Sequence, residues 1–281
     1  MIRTIQIRQV NIAMHKPHSP QGYVELFKKA FHMRYIHERG RADGYMLGAI
    51  YGAREALEKD ELHGELYRFT NIDRDAPWFN SETGKQAEDS ETESIAIPGH
   101  LHPNLDRIPF VFKPKSHQLW YVSKDRKASM GPTIAEVFLQ ELFSATCMKH
   151  ALPTVEVTVV PDIAAVSEVL RIHHISRLTM VFKRPNDDAE EIERRIMEKM
   201  QRRNVTRLEE VMTSADGITP DQDMYAEAAA AAKNGYVQSE GHDNNGLPVL
   251  ESTVAKPALI SESINEEIET VSMVLSRVSS T

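Results

Sequence analysis

The chain has 281 residues, of which 41% are hydrophobic and 26% charged, and this composition excludes a disordered protein. No apolar run reaches the roughly 18–20 residues that a membrane-spanning helix needs, and the first residues lack the apolar block of a signal peptide. The single cysteine, Cys147, excludes an internal disulfide and a thiolate-rich zinc site, and we expect it to pack in a core. The sequence therefore predicts a cytoplasmic protein.

The net charge of −8 argues against a protein that is basic overall, but the charge is unevenly distributed along the chain. Residues 1–59, 107–127 and 171–207 carry net charges of +5, +5 and +4, whereas residues 60–106 and 208–281 carry −8 and −10. Two interpretations stay open. The basic segments are ordinary solvated surface, or they converge in the folded chain into one positive face.

The first half of the chain alternates between predicted strands and helices. Residues 2–14 alternate as a strand whose apolar period slips near Gln9, and Ser19-Pro20 has the residue types that start a helix. The segment GYMLGAIYGA and residues 62–70 are predicted to pair as strands.

A second hairpin is predicted between residues 108–112 and 118–122, and it carries basic residues at both ends. Thr133 and Glu136 have the spacing of a capping box, which predicts that a helix starts there.

The stretch around which the second half is organised, residues 173–204, reads as a buried strand followed by one amphipathic helix. Pro185 is predicted to end the strand because it has no N–H for a ladder, and Asn186 is predicted to cap the helix. Four acids favour the positive end of that helix: Asp187, Asp188, Glu190 and Glu191.

Further along, a capping box at Thr219 and Gln222 is predicted to start an alanine-rich helix that Gly235 ends as a left-handed cap. The sequence Asp243-Asn244-Asn245-Gly246 is a strong signal for a hairpin turn.

The tail contains five apolar residues at intervals of four and three, the spacing of a helical packing seam, with Ser263 and Glu266 as its capping box. Two interpretations of the seam stay open: it joins two copies into a homodimer, or it packs onto the core of its own chain. Val271, Val274 and Val278 also leave a terminal strand possible. The five residues are Ile264, Ile268, Val271, Leu275 and Val278.

These elements predict an α+β fold with mixed or antiparallel sheets and packed helices, whose second half resembles a split β-α-β alternation. Three regions are predicted: residues 1–150 as an α+β domain with the basic hairpin, residues 151–256 as a second α+β domain, and residues 257–281 as an amphipathic tail.

No sequence signature of catalysis stands out, since the chain lacks a glycine-rich phosphate loop, a nucleophile elbow and an H-E-x-x-H motif. His100 and His102 have no evident carboxylate or cysteine partner, so no metal site is predicted. One enzymatic alternative is a nuclease site in which Asp106 and Asp125 hold Mg²⁺ and Lys127 stabilises charge near the phosphate. Magnesium is the only cofactor considered, and only for that alternative.

The interpretation that we favour is non-catalytic and electrostatic. The hairpin ends and the basic end of the amphipathic helix offer cations for phosphate groups, and phosphate contacts give affinity without base choice. Acidic residues four positions away along the helix neutralise part of the positive charge of its basic end. The predicted contacts are Lys113, Lys115, Lys124, Arg126, Lys127, Arg194, Arg195, Lys199, Arg202, Arg203 and Arg207.

Several segments resemble a family of bacterial proteins of similar length that carries no agreed activity. The matching pieces are HSP at residues 18–20, YVEL at 23–26, LHGELYRFTNID at 62–73, PWF at 77–79, PNL at 103–105, and the stretch 177–186 that ends in RPN. The resemblance spans most of the chain.

The layout is also similar to that of RexA, a phage-exclusion protein, because a histidine-containing segment leads into a strand that ends at a proline. That resemblance implies a dimeric, sequence-tolerant DNA binder in anti-phage defence, with a second protein of a defence operon as a possible partner. A protein scaffold is the remaining alternative. One hypothesis is that the acidic tail covers the basic face, in which case deletion of residues 257–281 strengthens DNA binding.

Overall fold

The computed structural model describes residues 2–15, 19–40, 42–73, 76–92, 95, 97–183 and 191–280. About 40% of the chain is strand and about 31% is helix, which confirms the predicted α+β class. Within the described residues, no helix is long and apolar enough to cross a membrane. The predicted stop at Arg184-Pro185-Asn186 and the acids Asp187, Asp188 and Glu190 lie outside the described residues.

The first large sheet is antiparallel and has nine strands, in the order β10-β1-β8-β7-β4-β3-β2, with β15 also pairing with β1 and β9 with β8. The two predicted hairpins are confirmed as β3–β4 and β7–β8. The strands are β1 (Ile2–Met14), β2 (His37–Arg39), β3 (Asp43–Tyr51), β4 (Leu62–Thr70), β7 (Asp106–Lys113), β8 (Gln118–Asp125), β9 (Ala128–Ser129), β10 (Val155–Val159) and β15 (Ile260–Asn265).

Helices cover this sheet on both faces. Helices α1 and α4 pack on one face and α8 packs on the other, and a two-stranded excursion, β5–β6, follows β4. The bounds are α1 (Pro20–Met33), α2 (Ala56–Lys59), α3 (Asp89–Thr92), α4 (Pro132–His150), α8 (Val271–Val278), β5 (Phe79–Asn80) and β6 (Lys85–Gln86).

The side chains of β1 explain why its apolar period slips near Gln9. Ile5 and Ile7 pack in the cluster under α8, whereas Val10 and Ile12 point to the opposite face and pack with α1 and α4. The apolar residues therefore change from odd to even positions, because different halves of the strand are covered by different helices.

The second sheet has four antiparallel strands in the order β12-β11-β13-β14. Leu178, Met180 and Phe182 of the central strand pack against Met200 and the alanines of α7, as the amphipathic pattern predicted. The bounds are α5 (Ile163–Val169), β11 (His174–Lys183), α6 (Glu191–Arg202), β12 (Arg207–Ile218), α7 (Gln222–Lys233), β13 (Gly235–His242) and β14 (Pro248–Ser252), with a 3-10 turn at Thr253–Ala255.

Two predicted helix caps are wrong. Helix α4 starts at Pro132 with Gly131 as its N-cap, because proline fits the first helical position and moves the start ahead of Thr133. Helix α7 is capped by Asp221, whose side chain accepts from the Met224 N–H, two residues after the predicted Thr219.

Gly235 also has a role other than the one predicted. The residue that ends α7 is Asn234, with φ −128°, so no left-handed cap forms there. Gly235 instead begins β13, where a Cβ atom would lie only 1.9 Å from the carbonyl oxygen of Val181. Glycine is needed because the two backbones approach closely.

The tail does not form the predicted single helix. Ile264 lies on β15, opposite Arg3 of β1, and α8 starts only at Val271 with Thr270 as its cap. Leu275 and Val278 are buried in the same cluster as Ile264, whereas Ile268 is 77% exposed in the intervening turn. The spacing of four and three residues between apolar side chains therefore comes from a strand and a helix that both pack on the core of their own chain.

The two sheets meet at β1 and the end of α7, where Asn11 Nδ2 donates to Asn234 Oδ1 at 2.9 Å in a buried hydrogen bond. Strands β10 and β15 belong to the first sheet although they lie beyond residue 150. The division into residues 1–150, 151–256 and 257–281 stays a prediction.

Candidate nucleic-acid interface

The turn between β7 and β8 offers less free positive charge than the sequence suggested. Lys113 is buried at 7% exposure, and its Nζ donates to Glu61 Oε1 and to Ser280 Oγ, each at 3.0 Å. Lys115 is exposed and has no ion pair within the described residues. Lys113 is therefore a structural cation, and only Lys115 is available at this end.

The other end of the hairpin holds a network of alternating charges. Arg3 binds Asp125 with both ends of its guanidinium, at 2.8 and 3.0 Å, and Arg126 is paired with Glu266 of the strand–helix turn that follows β15. Lys124 and Lys127 are exposed, and within the described residues neither has an ion pair. Glu266 of the tail therefore neutralises part of the positive charge at this end of the hairpin.

Helix α6 brings four of the predicted cations to one place. Arg195, Lys199 and Arg202 recur at intervals of four and three residues, so they lie on one side of α6, and Arg203 follows the last residue of the helix. They line an open cleft of about 490 Å³, a volume typical of ligand sites. Of the eleven predicted contacts, these four converge.

The opposite wall of the cleft is acidic. Asp223 and Glu227 stand four residues apart on α7, and Glu210 projects from β12. The remaining lining residues are Phe182, Ile192, Ile196 and Glu198. The cleft thus has a basic wall, an acidic wall and apolar side chains between them.

Only some of these charges are paired with each other. Lys199 contacts Glu210, and Arg202 Nε donates to the backbone oxygen of Glu198 at 3.3 Å. Arg195, Arg203, Asp223 and Glu227 have no hydrogen-bonded ion pair among the residues that the structure describes. These four side chains, two on each wall, are therefore available to a ligand.

Glu227 of the cleft is partly buried and has other carboxylates nearby. Partial burial raises the pKa of its carboxyl group, and the nearby carboxylates Glu210 and Asp223 raise it further, while Arg195 opposes them. A charge in such surroundings gains from a hydrogen-bond donor that replaces lost water.

The other two predicted contacts of this region lie outside the cleft. Arg194 is exposed, and Arg207 is paired at 3.1 Å with Glu209 on the opposite side of β12 from the cleft. Lys183 approaches Glu136 of α4 at 3.9 Å.

A family model described as a domain of unknown function, DUF4747, matches residues 3–280. The chain belongs to this family. No curated protein matches the sequence.

The nuclease alternative gains no support from the geometry of this DUF4747 chain. Both oxygens of Asp125 accept from Arg3, so this carboxylate is already occupied by a guanidinium. Among the described residues, no group of three or more His, Cys, Asp or Glu side chains is placed to hold a metal ion. The site of Asp106, Asp125 and Lys127 stays a prediction.

Cys147 of the DUF4747 chain packs in the core under α4, as expected from its position on the apolar side of that helix. Burial raises the pKa of its thiol to about 11, which disfavours a reactive thiolate.

Sequence reasoning missed the acidic wall. Asp223 and Glu227 have the i, i+4 spacing of one helix face, but nothing in the sequence tells that this face lies opposite α6. The missing information is the packing of α6 against α7, which is a tertiary contact.

Proposed function

We propose that this protein binds nucleic acid through the cleft between α6 and α7, without catalysis and with little dependence on sequence at the phosphate contacts. The observation that carries the proposal is the convergence of Arg195, Lys199, Arg202 and Arg203 on one open cleft. Guanidinium groups bind phosphate oxygens bidentately, and contacts to the backbone are sequence-tolerant.

The dimensions of the basic wall fit a strand of nucleic acid. From Arg195 to Arg202 the chain rises about 10 Å along the axis of α6, at about 1.5 Å per residue, and Arg203 follows directly. One strand of nucleic acid carries a phosphate about every 3.4 Å along its axis, so this length matches three or four phosphates. Because Arg195 and Arg203 have no ion pair within the described residues, their charge is available for such contacts.

The proposal extends to the biological setting only through resemblance. The layout shared with RexA supports a role in bacterial anti-phage defence, in the cytoplasm, with DNA as the nucleic acid. A homodimer and a second protein of a defence operon belong to the same proposal. Ile264, Leu275 and Val278 of the predicted seam are buried within their own chain, which favours a dimer surface elsewhere on the molecule.

The test replaces cations in the cleft and, separately, on the hairpin. The cleft variant carries Arg195→Gln and Arg203→Gln, and the matched control carries Lys115→Gln and Lys127→Gln, so that each loses two exposed cations. We expect the cleft variant to bind a labelled oligonucleotide about tenfold or more weakly in fluorescence anisotropy, because two charge-assisted hydrogen bonds are lost. The control should bind within about twofold of the wild type.

The same titration is run with and without Mg²⁺, and the oligonucleotide is then analysed for cleavage. Equal affinity of the wild type and the cleft variant would contradict the proposed site, and a larger loss in the control would place binding on the hairpin. Cleavage that requires Mg²⁺ and is lost in Asp125→Ala would favour the nuclease instead.

A further inference from the structure

The acidic wall is unexpected in a site for a polyanion, and this requires a physical explanation. Phosphate groups alone would favour a cleft with positive charge on every side. Here Asp223 and Glu227 face the arginines of α6 without forming a hydrogen-bonded ion pair with any residue that the structure describes. A ligand suited to both walls carries negative charge on one side and hydrogen-bond donors on the other.

We infer that the ligand of the cleft is single-stranded nucleic acid whose phosphates contact α6 and whose unpaired bases donate amino hydrogens to Glu227 and Asp223 on α7. This inference rests on the proposed function, because it assigns the second wall of the same site. Nucleotides combine the two required chemistries within one small unit.

The assignment to bases follows from the donors that bases offer. Cytosine presents its N4 amino group to carboxylates, and adenine and guanine also carry exocyclic amino groups. Thymine has no amino group, since it presents the O4 oxygen at the corresponding position. Its one donor on that edge, N3–H, stands between two carbonyl oxygens that a carboxylate repels. The acidic wall should therefore favour cytosine over thymine, while the phosphate contacts on α6 stay the same for both.

The assignment to single strands follows from size and from the apolar side chains. A cleft of about 490 Å³ lies in the range of small-molecule sites and admits a nucleotide unit, but not a segment of duplex. Ile192 and Ile196 of α6 line the same cleft, where the apolar face of an unstacked base would contact them. Proteins that take a base out of its stack hold it between aromatic or apolar side chains.

Glu227 is the residue on which to test the inference, because burial and neighbouring acids make its charge most dependent on a donor. In Glu227→Gln the side chain keeps its shape, and its amide N–H can donate a hydrogen bond to thymine O4. Removal of a negative charge should raise affinity for every polyanion. The ratio of affinities for two bases isolates the base contact from this general effect.

The experiment measures dissociation constants for oligo(dC) and oligo(dT) of equal length at pH 8 by fluorescence anisotropy. We expect the wild type to prefer oligo(dC) by about fivefold and Glu227→Gln to bring this ratio close to one. The matched control is Glu209→Gln, which removes the same charge from the adjacent strand β12 on the side away from the cleft. It should leave the ratio of the wild type unchanged.

Three results would overturn the inference: equal affinity of the wild type for both oligonucleotides, a ratio that Glu227→Gln leaves unchanged, or tighter binding of a duplex than of either strand. Each of them leaves the proposed function intact if Arg195→Gln with Arg203→Gln still weakens binding. A wild type that binds no nucleic acid would overturn both.

Discussion

Glu61 connects three distant segments of the chain through its two carboxylate oxygens. Oε1 accepts from Lys113 at 3.0 Å, and Oε2 accepts from Ser276 of α8 at 2.8 Å and lies 2.9 Å from His63 Nε2. Burial alone would raise the pKa of Glu61, but hydrogen bonds from His63, Lys113 and Ser276 hold it below its ordinary value. Ionised Glu61 is therefore a structural group that holds α8 against the first sheet through hydrogen bonds.

At the scale of single residues, we predict that Glu61→Gln destabilises the protein in a pH-dependent way. A carboxyl group whose pKa is depressed by folding stabilises the folded state above its unfolded pKa, and this stabilisation is lost as the pH falls through the folded pKa. The variant should lose about 2 kcal/mol of unfolding free energy at pH 7, the contribution of a hydrogen bond to a charged group.

Urea unfolding at pH 7 and at pH 3 measures this difference. The gap between wild type and variant should be smaller at pH 3 than at pH 7, because the stabilisation by the carboxylate is lost as the pH falls toward the depressed folded pKa of Glu61. A gap that is equal at both pH values would mean that the carboxylate charge contributes nothing to stability.

The tail, residues 260–278, shows at the scale of elements how a sequence period can mislead. A spacing of four and three residues indicates a helix, and the capping box at Ser263 agreed with it. However, Ile264 is on β15 and Leu275 is on α8, and a turn separates them. Both side chains point into the same core. The spacing therefore predicted that these residues are buried, but it did not predict the secondary structure in which they lie.

We predict that Leu275→Ala and Ile268→Ala differ sharply in stability although both belonged to the predicted seam. Leu275 is fully buried among Ile5, Ile7 and Val274, so truncation leaves a cavity and should cost about 3 kcal/mol. Ile268 is 77% exposed, and its truncation should change the free energy of unfolding by less than about 0.5 kcal/mol.

Urea unfolding gives both values, and analytical ultracentrifugation gives the oligomeric state of each variant. If Ile268→Ala changed the oligomeric state while Leu275→Ala left stability unaffected, the tail would act as an intermolecular seam. The position of β15 and α8 also bears on the tail hypothesis, since deletion of residues 257–281 removes a strand of the first sheet.

The fold of the whole molecule could be predicted only as far as local patterns reach. Local residue patterns predicted β1, the hairpins β3–β4 and β7–β8 and the central strand β11, and the turn Asp243-Asn244-Asn245-Gly246 predicted the β13–β14 hairpin. The order of the first sheet could not be predicted, because β1 pairs with β8, β10 and β15, which follow it by more than a hundred residues. Such distant pairings leave no signal in the spacing of residues.

The candidate site follows the same division between local and distant information. The basic stripe on α6 was predicted because its cations share one helix, as Arg195 and Lys199 illustrate. The acidic wall and the burial of Lys113 beside Glu61 were not, since each depends on segments that meet only in the folded chain. Positive surface was consequently overestimated on the hairpin.

The salt dependence of binding to single-stranded oligonucleotides tests the central claim most directly. Each phosphate contact contributes about 0.7 to the slope of log Kobs against log salt concentration for single strands, so four contacts in the cleft predict a slope of about −3. Replacing Arg195 and Arg203 with glutamine should reduce its magnitude by about 1.4, and replacing Lys115 and Lys127 should leave it unchanged. An unchanged slope in the cleft variant, or an equal reduction in both variants, would contradict the account.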